Sequence, residues 1–331
     1  MTDSEAEQPS RKRVYWQRAL TFYCYFAAFG SLLSLGNGGA IWPINLFDAL
    51  LHGLLWPAPI FLVVALARRA WKHAIGFSFA SFFLVFSCSS WLSESPSGTY
   101  YGDDSLTVVT WNLGLNTCDA AKVAAEIRAL HPDVVLFQEA RADKLELITE
   151  ALGELYPFHE HFYDDLFSKA YLSNIEPVSV EFLKPENSKN FLELIVPFGE
   201  TPLTITSIHT NKAFAFFGRK WFGYDQMMKR INLAASTPTS LVVGDFNLTE
   251  RNTVYRDIQD TGLVDSYRER HSDPGFTFPA FGRYRHLPLP PLLRIDYVWH
   301  TKNLKCVTIE RTASGDSDHR GLVARIARRD R

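Results

Sequence analysis

Three long apolar stretches dominate the first ninety residues of the chain. They run from Ala19 to about Gly36, from about Leu46 to Ala67 and from Ala74 to Leu92, and their only charge is Asp48 near one end of the second. A helix that crosses a bilayer needs roughly 17–25 apolar residues, whereas soluble helices usually show a polar stripe that is missing here. The pattern predicts three transmembrane helices within residues 19–92. The alternative is three buried helices of a soluble domain.

Basic residues flank these stretches unevenly. Four precede the first stretch and three separate the second from the third, whereas the loop between the first and second has none: Arg11, Lys12, Arg13 and Arg18; then Arg68, Arg69 and Lys72. Positive charge stays on the cytoplasmic side of a membrane. The sequence therefore predicts a basic cytoplasmic tail at 1–18 and, after three crossings, an extracytoplasmic remainder. Residues 93–105 are polar and turn-rich, as in a short linker.

From residue 106 the pattern changes to alternating strands and helices. Two segments have helical spacing and lie among β-rich runs. They are Asp119–Leu130, with Asp119 as N-cap and Pro132 as the stop, and Ala142–Leu152. The predicted strands are Leu106–Trp111, Asp133–Phe137, Val178–Phe182, Phe191–Val196, Leu203–Ile208, Ser240–Val243, Ile295–His300, Leu304–Glu310 and Gly321–Ile326. Strands and helices are mixed, and the strands are too many for one doubly wound sheet. We expect an α/β fold of two packed mixed sheets with outer helices over residues 106–331.

Composition narrows the choice of function. Apolar residues make up 47% of the chain, which fits a folded protein, and the net charge of −2 divides into +2 over residues 1–94 and −4 over the rest. An acidic balance disfavours a protein whose main work is tracking a nucleic-acid backbone. The four cysteines have no CxxC spacing, so a zinc site is not indicated, and a Cys118–Cys306 bridge stays open.

Polar residues recur where apolar strands begin or end. Each alone is typical of a turn, but the set is large: Asn112, Gln138 and Glu139, His209, Asp245 and Asn247, Asp296, and Asp318 with His319. Strand ends are rigid and can hold side chains to catalytic tolerance. Ligand crevices in α/β proteins also lie beyond strand ends.

The chemistry of this set favours a hard cation. It contains four carboxylates, two imidazoles and three carboxamides, and no thiolate. Oxygen ligands suit Mg²⁺, which keeps several waters and contacts substrate phosphate. Neither a GxxxxGK[ST] nor a GxGxxG phosphate loop occurs, and no GxSxG elbow supplies a nucleophilic serine. Metal-assisted attack of water on a phosphoester is the best fit.

The order of motifs resembles the endonuclease/exonuclease/phosphatase superfamily. The stretches that carry the resemblance, over roughly residues 105–327, are Thr110-Trp111-Asn112, Phe137-Gln138-Glu139, Ser207-Ile208-His209, Gly244-Asp245-Phe246-Asn247, Arg294-Ile295-Asp296-Tyr297 and Ser317-Asp318-His319, with a further match at Gly262–Tyr267. The resemblance implies a four-layer sandwich of two mixed β-sheets face to face with helices outside.

The resemblance also implies roles for the matching residues. The metal, Mg²⁺ or alternatively Mn²⁺, would be held by Glu139, with Asn112 beside it and Asp318 near it. The catalytic residues would be Asp245 to orient or deprotonate the water, Asn247 on a phosphate oxygen, His209 on the developing charge or leaving group, and Asp296 to orient His319. Asn174, in the stretch Ser168–Asn174, lacks the basic side chain that the family often has there, so that stretch receives no role.

Three functions remain open from the sequence. In architecture the chain resembles vancomycin/teicoplanin-resistance-associated membrane proteins, which implies a phosphatase or phosphodiesterase acting on a lipid-linked phosphate of the bilayer. An aromatic and basic run covers residues 211–229, with Phe214, Phe217 and Trp221 at helical spacing; it suits either a membrane interface or the ordinary packing of a helix. The basic stretch Arg283–His286 suits either phosphate binding or a solvated loop. The alternatives are an extracytoplasmic nuclease acting on DNA or RNA and a non-catalytic receptor. The number of metals and the oligomeric state stay open.

Overall fold

The chain divides into two compact units, Met1–Ser89 and Ser90–Arg331. The structure is a computed structural model that describes residues 11–37, 42–89, 105–164, 168–185, 190–212, 219, 223–280 and 289–329. This division puts most of the apolar stretches in the first unit and the predicted α/β region in the second. The linker predicted at 93–105 lies outside the described residues except for Ser105.

The first unit consists of four helices. They are α1 (Arg11–Asn37), α2 (Trp42–Leu55), α3 (Ala58–Ala67) and α4 (Trp71–Ser87). Small and aromatic side chains such as Ala27, Phe47 and Phe77 form its core. Many large apolar side chains on the same helices remain exposed, among them Phe22 at 72% and Ile75 at 72%.

The prediction of three transmembrane helices needs correction. Among the described residues, one helix is long and apolar enough to cross a membrane, at Val14–Leu35. The second predicted span is divided at Pro57, because proline cannot continue the hydrogen-bond ladder of a helix; its halves, Ile44–Leu55 and Ala58–Ala67, bend by 57°. The third has 17 residues in α4, and residues 90–92 lie outside the described part.

The second unit contains two six-stranded sheets. Sheet A has the order β11-β12-β1-β2-β4-β3, and sheet B has the order β5-β6-β7-β8-β10-β9. In chain order the strands are β1 (Ser105–Asn112), β2 (Val134–Gln138), β3 (Phe158–Phe162), β4 (Lys169–Ser173), β5 (Ser179–Leu183), β6 (Phe191–Val196), β7 (Leu203–His209), β8 (Ser240–Asp245), β9 (Val264–Asp265), β10 (Asp296–His300), β11 (Leu304–Arg311) and β12 (Leu322–Arg328). Both sheets are mixed, because β1 and β2 are parallel, β7 and β8 are parallel, and the other pairs are antiparallel.

Helices cover the outer face of each sheet. The helices α5 (Ala120–Leu130) and α6 (Ala142–Leu152) lie on sheet A, while α7 (Tyr224–Ser236) and α8 (Thr253–Asp260) lie on sheet B. A short helix, α9 (Ser266–Arg270), follows β9. Alternate residues of a strand face opposite sides of the sheet. In β1, Leu106 and Val108 lie in the core between the two sheets, while Val109 and Trp111 face the helices. This arrangement confirms two packed mixed sheets flanked by helices.

Most elements lie close to where the sequence predicts them. Asp119 caps α5, as predicted, by accepting from the backbone N–H groups of Ala121 and Lys122. The strands β3, β4 and β9 were not predicted, and β4 falls in the stretch 168–174 that received no role. Cys118 and Cys306 are free and buried, which rules out the bridge between them. The aromatic residues Phe214, Phe217 and Trp221 and the stretch 283–286 lie outside the described residues.

Candidate active site

The two parallel strand pairs bring four of the predicted polar residues to one edge of the sandwich. In sheet A, Asn112 at the end of β1 is in register with Gln138 at the end of β2. In sheet B, His209 at the end of β7 is in register with Asp245 at the end of β8. Each pair is joined by a helical crossover, which requires both strands to end at the same edge.

A glycine permits the close approach of β7 and β8. Gly244 has φ of +132°, and a Cβ at this position would lie 1.9 Å from the carbonyl oxygen of Ile208. No other residue fits without moving the backbone. The glycine of the Gly244–Asn247 motif therefore places the next side chain, Asp245, beside His209.

Asp245 is fully buried and held by three amide N–H donors. Its Oδ1 accepts from the backbone N–H of Asn247 at 2.8 Å, and its Oδ2 accepts from Nδ2 of Asn112 at 3.0 Å and Nδ2 of Asn247 at 3.1 Å. Asn112 reaches across from sheet A, so this hydrogen bond joins the two sheets at the site. The carboxylate of Asp245 is consequently fixed in position.

Glu139 and His209 lie on either side of the inter-sheet gap. Nε2 of His209 is 3.5 Å from Oε1 of Glu139 and 3.7 Å from Oδ2 of Asp245. Both Glu139 and Asn247 have a left-handed backbone, with φ of 52° and 49°. Such φ values are uncommon outside glycine and concentrate at functional sites.

The third part of the site comes from β10 and the loop before β12. Nδ1 of His319 lies 3.1 Å from Oδ2 of Asp296, and its Nε2 lies 3.9 Å from Oδ2 of Asp245. The ring of Phe278 packs against His319 with centroids 4.7 Å apart. A carboxylate on one ring nitrogen and a protein wall on one face fix the orientation of the imidazole.

Asp318 lies beside the loop that follows β1. A Cβ at Gly114 would be 2.5 Å from Oδ1 of Asp318, and the N–H of Gly114 donates to Oδ1 of Asn112 at 2.9 Å. Oδ1 of Asp318 is buried and accepts no hydrogen bond from any residue that the structure describes. A buried carboxylate oxygen without a donor is costly. A cation would remove that cost.

The predicted metal ligands therefore fit a magnesium ion. Glu139, Asn112 and Asp318 offer only oxygen donors and lie at the ends of β1 and β2 and in the neighbouring loop. A tighter group also exists among the described residues, in which ligand atoms of Asp245, Asp296 and His319 lie within 4.8 Å of one another. Those atoms already bond to amides or to each other, and they include a nitrogen, which suits Mg²⁺ less well.

Burial and nearby charge together raise the pKa values of both Asp245 and His319 above their usual ranges. Burial raises the pKa of Asp245, and the nearby charge of Asp296 adds to this, against the opposing effect of His319. Burial alone would lower the pKa of His319, but the charges of Asp296 and Asp245 outweigh it and raise that pKa. The two neighbouring carboxyl groups therefore favour the protonated form of the His319 imidazole.

Sequence reasoning assigned no role to two supporting residues, Ser317 and Gln138. The Oγ of Ser317 donates to the carbonyl of Asn112 at 2.7 Å and accepts from the N–H of His319 at 3.0 Å, which connects two parts of the site. Nε2 of Gln138 donates to Ser207 on the opposite sheet at 3.2 Å. Both residues stand inside motifs that the sequence singled out, but their type does not distinguish them from turn or strand residues.

A buried ion-pair network supports the start of β10. Arg294 is 1% exposed; its NH2 lies 2.6 Å from Asp265 and 3.2 Å from Glu250, and its guanidinium stacks on Tyr297 at 4.5 Å. Arg268 also pairs with Glu250, at 2.6 Å. Because Arg294 lies two residues before Asp296, this network fixes the strand that carries Asp296.

Comparison with known proteins identifies the fold. The model of the Endonuclease/Exonuclease/phosphatase family matches residues 109–319. No curated protein matches the chain. Similar solved structures include an endonuclease/exonuclease/phosphatase from Beutenbergia cavernae DSM 12333, at 21% identity and TM-score 0.52, covering 68% of this chain and 72% of that one.

Two other structures extend this likeness. TDP2 of D. rerio, in complex with a single-strand DNA product, has 16% identity and TM-score 0.54 over 68% of this chain and 99% of its own. A family protein from Leptotrichia buccalis C-1013-b has 15% identity and TM-score 0.53 over 67% and 99%. At these identities the likeness establishes the fold alone. The family model covers most of the second unit, and the chain belongs to the endonuclease/exonuclease/phosphatase family, whose members are hydrolases that act on phosphoesters.

Proposed function

We propose that the protein is a membrane-anchored, Mg²⁺-dependent phosphoesterase that acts on a lipid-linked phosphate at the extracytoplasmic surface. The single observation that carries the proposal is the cluster of polar side chains at one edge of the sandwich, which includes a buried carboxylate oxygen of Asp318 that accepts no hydrogen bond from a described residue. Membrane anchoring rests on the first unit.

The oxygen-donor side supports phosphoester hydrolysis. Glu139, Asn112 and Asp318 would hold Mg²⁺, which neutralises negative charge that develops on phosphate oxygens. Asn247 carries an amide beside Asp245 that can donate to a phosphate oxygen. These residues bind and orient the phosphoester without a protein nucleophile.

The acid–base side supplies proton transfer. Asp245, with a raised pKa, is suited to accept a proton from the attacking water. His319, held as an imidazolium by Asp296, is suited to donate to a phosphate oxygen. His209, between Glu139 and Asp245, stabilises developing charge or assists the leaving group.

The helical unit supports a bilayer location. Helix α1 is long and apolar enough to cross a membrane, and the bent pair α2 and α3 passes the same test when taken as one span. Large apolar side chains on these helices, including Trp16, Phe29 and Ile60, are exposed. Exposed apolar area of this kind marks membrane or protein contact. The basic residues before α1 favour a cytoplasmic amino terminus, so an odd number of crossings, such as α1 alone, would leave the second unit outside the cytoplasm.

The test is a substrate panel on the full-length protein in nonionic detergent with Mg²⁺. We expect phosphate release from polyprenyl phosphates or pyrophosphates, and a loss of at least about 100-fold in Glu139→Gln, since a metal-site carboxylate becomes a neutral amide. Glu146→Gln, an exposed change on α6, is the matched control.

The panel also includes plasmid DNA, RNA, inositol phosphates and sphingomyelin. Nicking of DNA or cleavage of RNA in preference to every lipid substrate would replace the proposal by the nuclease alternative. A panel with no hydrolysis by the wild-type protein would instead favour a non-catalytic receptor. Protease accessibility of the carboxyl terminus in sealed vesicles of known orientation tests the topology.

A further inference from the structure

An open trough lies on the outer face of sheet B, between α7 and the edge strand β5. It has a volume of about 670 Å³, within the range of roughly 300–1,000 Å³ usual for small-molecule sites. The residues that define it are Leu183, Lys184, Phe191, Lys229, Arg230 and Leu233. We call this surface the β5–α7 trough. None of the eight predicted site residues lines it.

The trough opens at the same edge of sheet B as the active site. Leu183, the last residue of β5, pairs with Phe191, the first residue of β6, and Leu192 pairs with Ser207 of β7. Ser207 lies two residues before His209. Adjacent strands are about 4.8 Å apart, so β5 and β7 are separated by about 10 Å. A molecule in the trough therefore lies close to the phosphoester site.

The trough combines an apolar floor with a basic rim. Phe191 is buried and Leu183 half-buried, while Leu233 on the facing side of α7 is 53% exposed. Three cations stand around this apolar surface. No acidic residue occurs among the described residues that line it. Such a surface suits an amphipathic anion rather than a sugar or a cation.

Two of the three cations are available for a ligand. Arg230 lies 3.5 Å from Glu193 of β6, so its charge is partly compensated. Lys184 and Lys229 are exposed and form no ion pair with a described residue; Lys184 lies over the ring of Phe182 at 5.2 Å. Basic residues next to exposed apolar side chains are typical of surfaces that bind anionic lipid.

We propose that the β5–α7 trough binds the headgroup of an anionic membrane phospholipid. The lysines contact the phosphate, and the glycerol and first methylenes contact Leu233 and the apolar floor. This docking turns the active-site edge of sheet B toward the bilayer surface, where a lipid-linked phosphate is presented. The inference rests on the bilayer location in the proposed function and adds a second, non-catalytic lipid site to it.

The test measures binding without turnover. Full-length protein in nonionic detergent with EDTA is titrated with dioctanoyl phosphatidylglycerol, dioctanoyl phosphatidylcholine, glycerol 3-phosphate and inorganic phosphate, by microscale thermophoresis. We expect the anionic lipid to bind at least about tenfold more tightly than the zwitterionic lipid, since each lysine near a lipid surface contributes favourably. The preference should disappear in Lys184→Glu/Lys229→Glu.

The control is Lys302→Glu/Arg325→Glu, which makes the same change of charge at exposed positions of the second unit outside the trough. It should keep the preference. Equal binding of both lipids by the wild type, or equal loss in the two double variants, would overturn the proposal. Binding of inorganic phosphate or glycerol 3-phosphate as tight as that of the anionic lipid would assign the trough to a soluble phosphate and also overturn it.

The outcome is separable from that of the proposed function. Glu139→Gln should keep the lipid preference, because Glu139 does not line the trough. Hydrolysis of lipid phosphates without the preference would reject the trough site alone. Preference without hydrolysis would reject the lipid phosphoesterase alone.

Discussion

Replacement of Arg294 by Met tests whether the buried ion-pair network supports the catalytic sheet. Arg294→Met keeps most of the side-chain volume, but it removes the guanidinium that stacks on Tyr297 and forms the bidentate partner of Asp265, whose oxygens lie 3.1 and 2.6 Å from it. Asp265 is 4% exposed, so its charge would stay buried, with the hydroxyl of Tyr255 at 2.8 Å and the backbone N–H groups of Tyr267 and Arg268 at 2.9 and 3.4 Å as its remaining donors.

The magnitude follows from the cost of an uncompensated buried charge. Breaking a buried ion pair by removing one partner costs about 3–5 kcal/mol. For a unit of about this size each kcal/mol lowers the Tm by about 2–4 °C. We therefore expect Arg294→Met to lower the Tm of the second unit by about 6–20 °C.

The assay is thermal unfolding of the full-length protein in detergent, followed by tryptophan fluorescence. Arg325→Met is the matched control, because Arg325 is exposed and donates only to Ser105, at 2.8 Å; such a change usually costs under about 1 kcal/mol. Adding Asp265→Asn to Arg294→Met should recover part of the loss. Equal Tm values for the two single variants would refute the reasoning.

Three further predictions concern pH, backbone and catalysis. Burial would raise the pKa of Glu250, but two paired arginines lower it from 4.5 to about 2. The free energy of unfolding should therefore fall by about 3 kcal/mol as the pH falls from 4.5 through 2. In acid titration, Glu250→Gln should show a smaller fall in this free energy. Gly244→Ala places a Cβ 1.9 Å from the carbonyl of Ile208, so its free energy of unfolding, from urea titration, should fall by about 3 kcal/mol or more; an unchanged value would contradict the close approach. Asp296→Asn removes a charge-assisted hydrogen bond to His319 worth about 1.5–3 kcal/mol, so kcat/KM on the substrate found by the panel should fall about 10- to 150-fold; wild-type kcat/KM in this variant would remove Asp296 from the site.

The central strands of the sandwich are visible in the sequence because they are buried on both faces. In β2, for example, the apolar run is continuous, so its position is visible without a partner. The edge strand β3 reads Phe158-His159-Glu160-His161-Phe162, with polar residues exposed, and a short polar strand is not distinguishable from a loop. The two-residue strand β9 depends on pairing with β10 and has no local signal.

The residues of the site could be predicted, but their contacts could not. Asn112 and Asp245 stand at strand ends in the sequence, yet their hydrogen bond joins residues 133 positions apart on different sheets. That pairing depends on the packing of sheet A on sheet B. Arg294 has no local signal either, because a basic residue before a strand is usually exposed, and its burial requires acidic partners from α9 and its surroundings.

For the apolar stretches, the sequence locates the segment but not the geometry of its backbone. Hydropathy finds residues 46–67 as one segment, whereas the backbone divides at Pro57 into two helices bent by 57°. Composition alone gives no bend angle, because the geometry after a proline depends on which neighbouring helices satisfy the freed carbonyl groups.

Calorimetric titration of the full-length protein with Mg²⁺ detects the metal site without a substrate. We expect saturable Mg²⁺ binding that weakens at least about tenfold in Glu139→Gln and Asp318→Asn, since each variant loses a charged oxygen ligand, and that is kept in Glu146→Gln. Absence of binding by the wild-type protein, or equal affinity in all of these variants, would contradict this prediction.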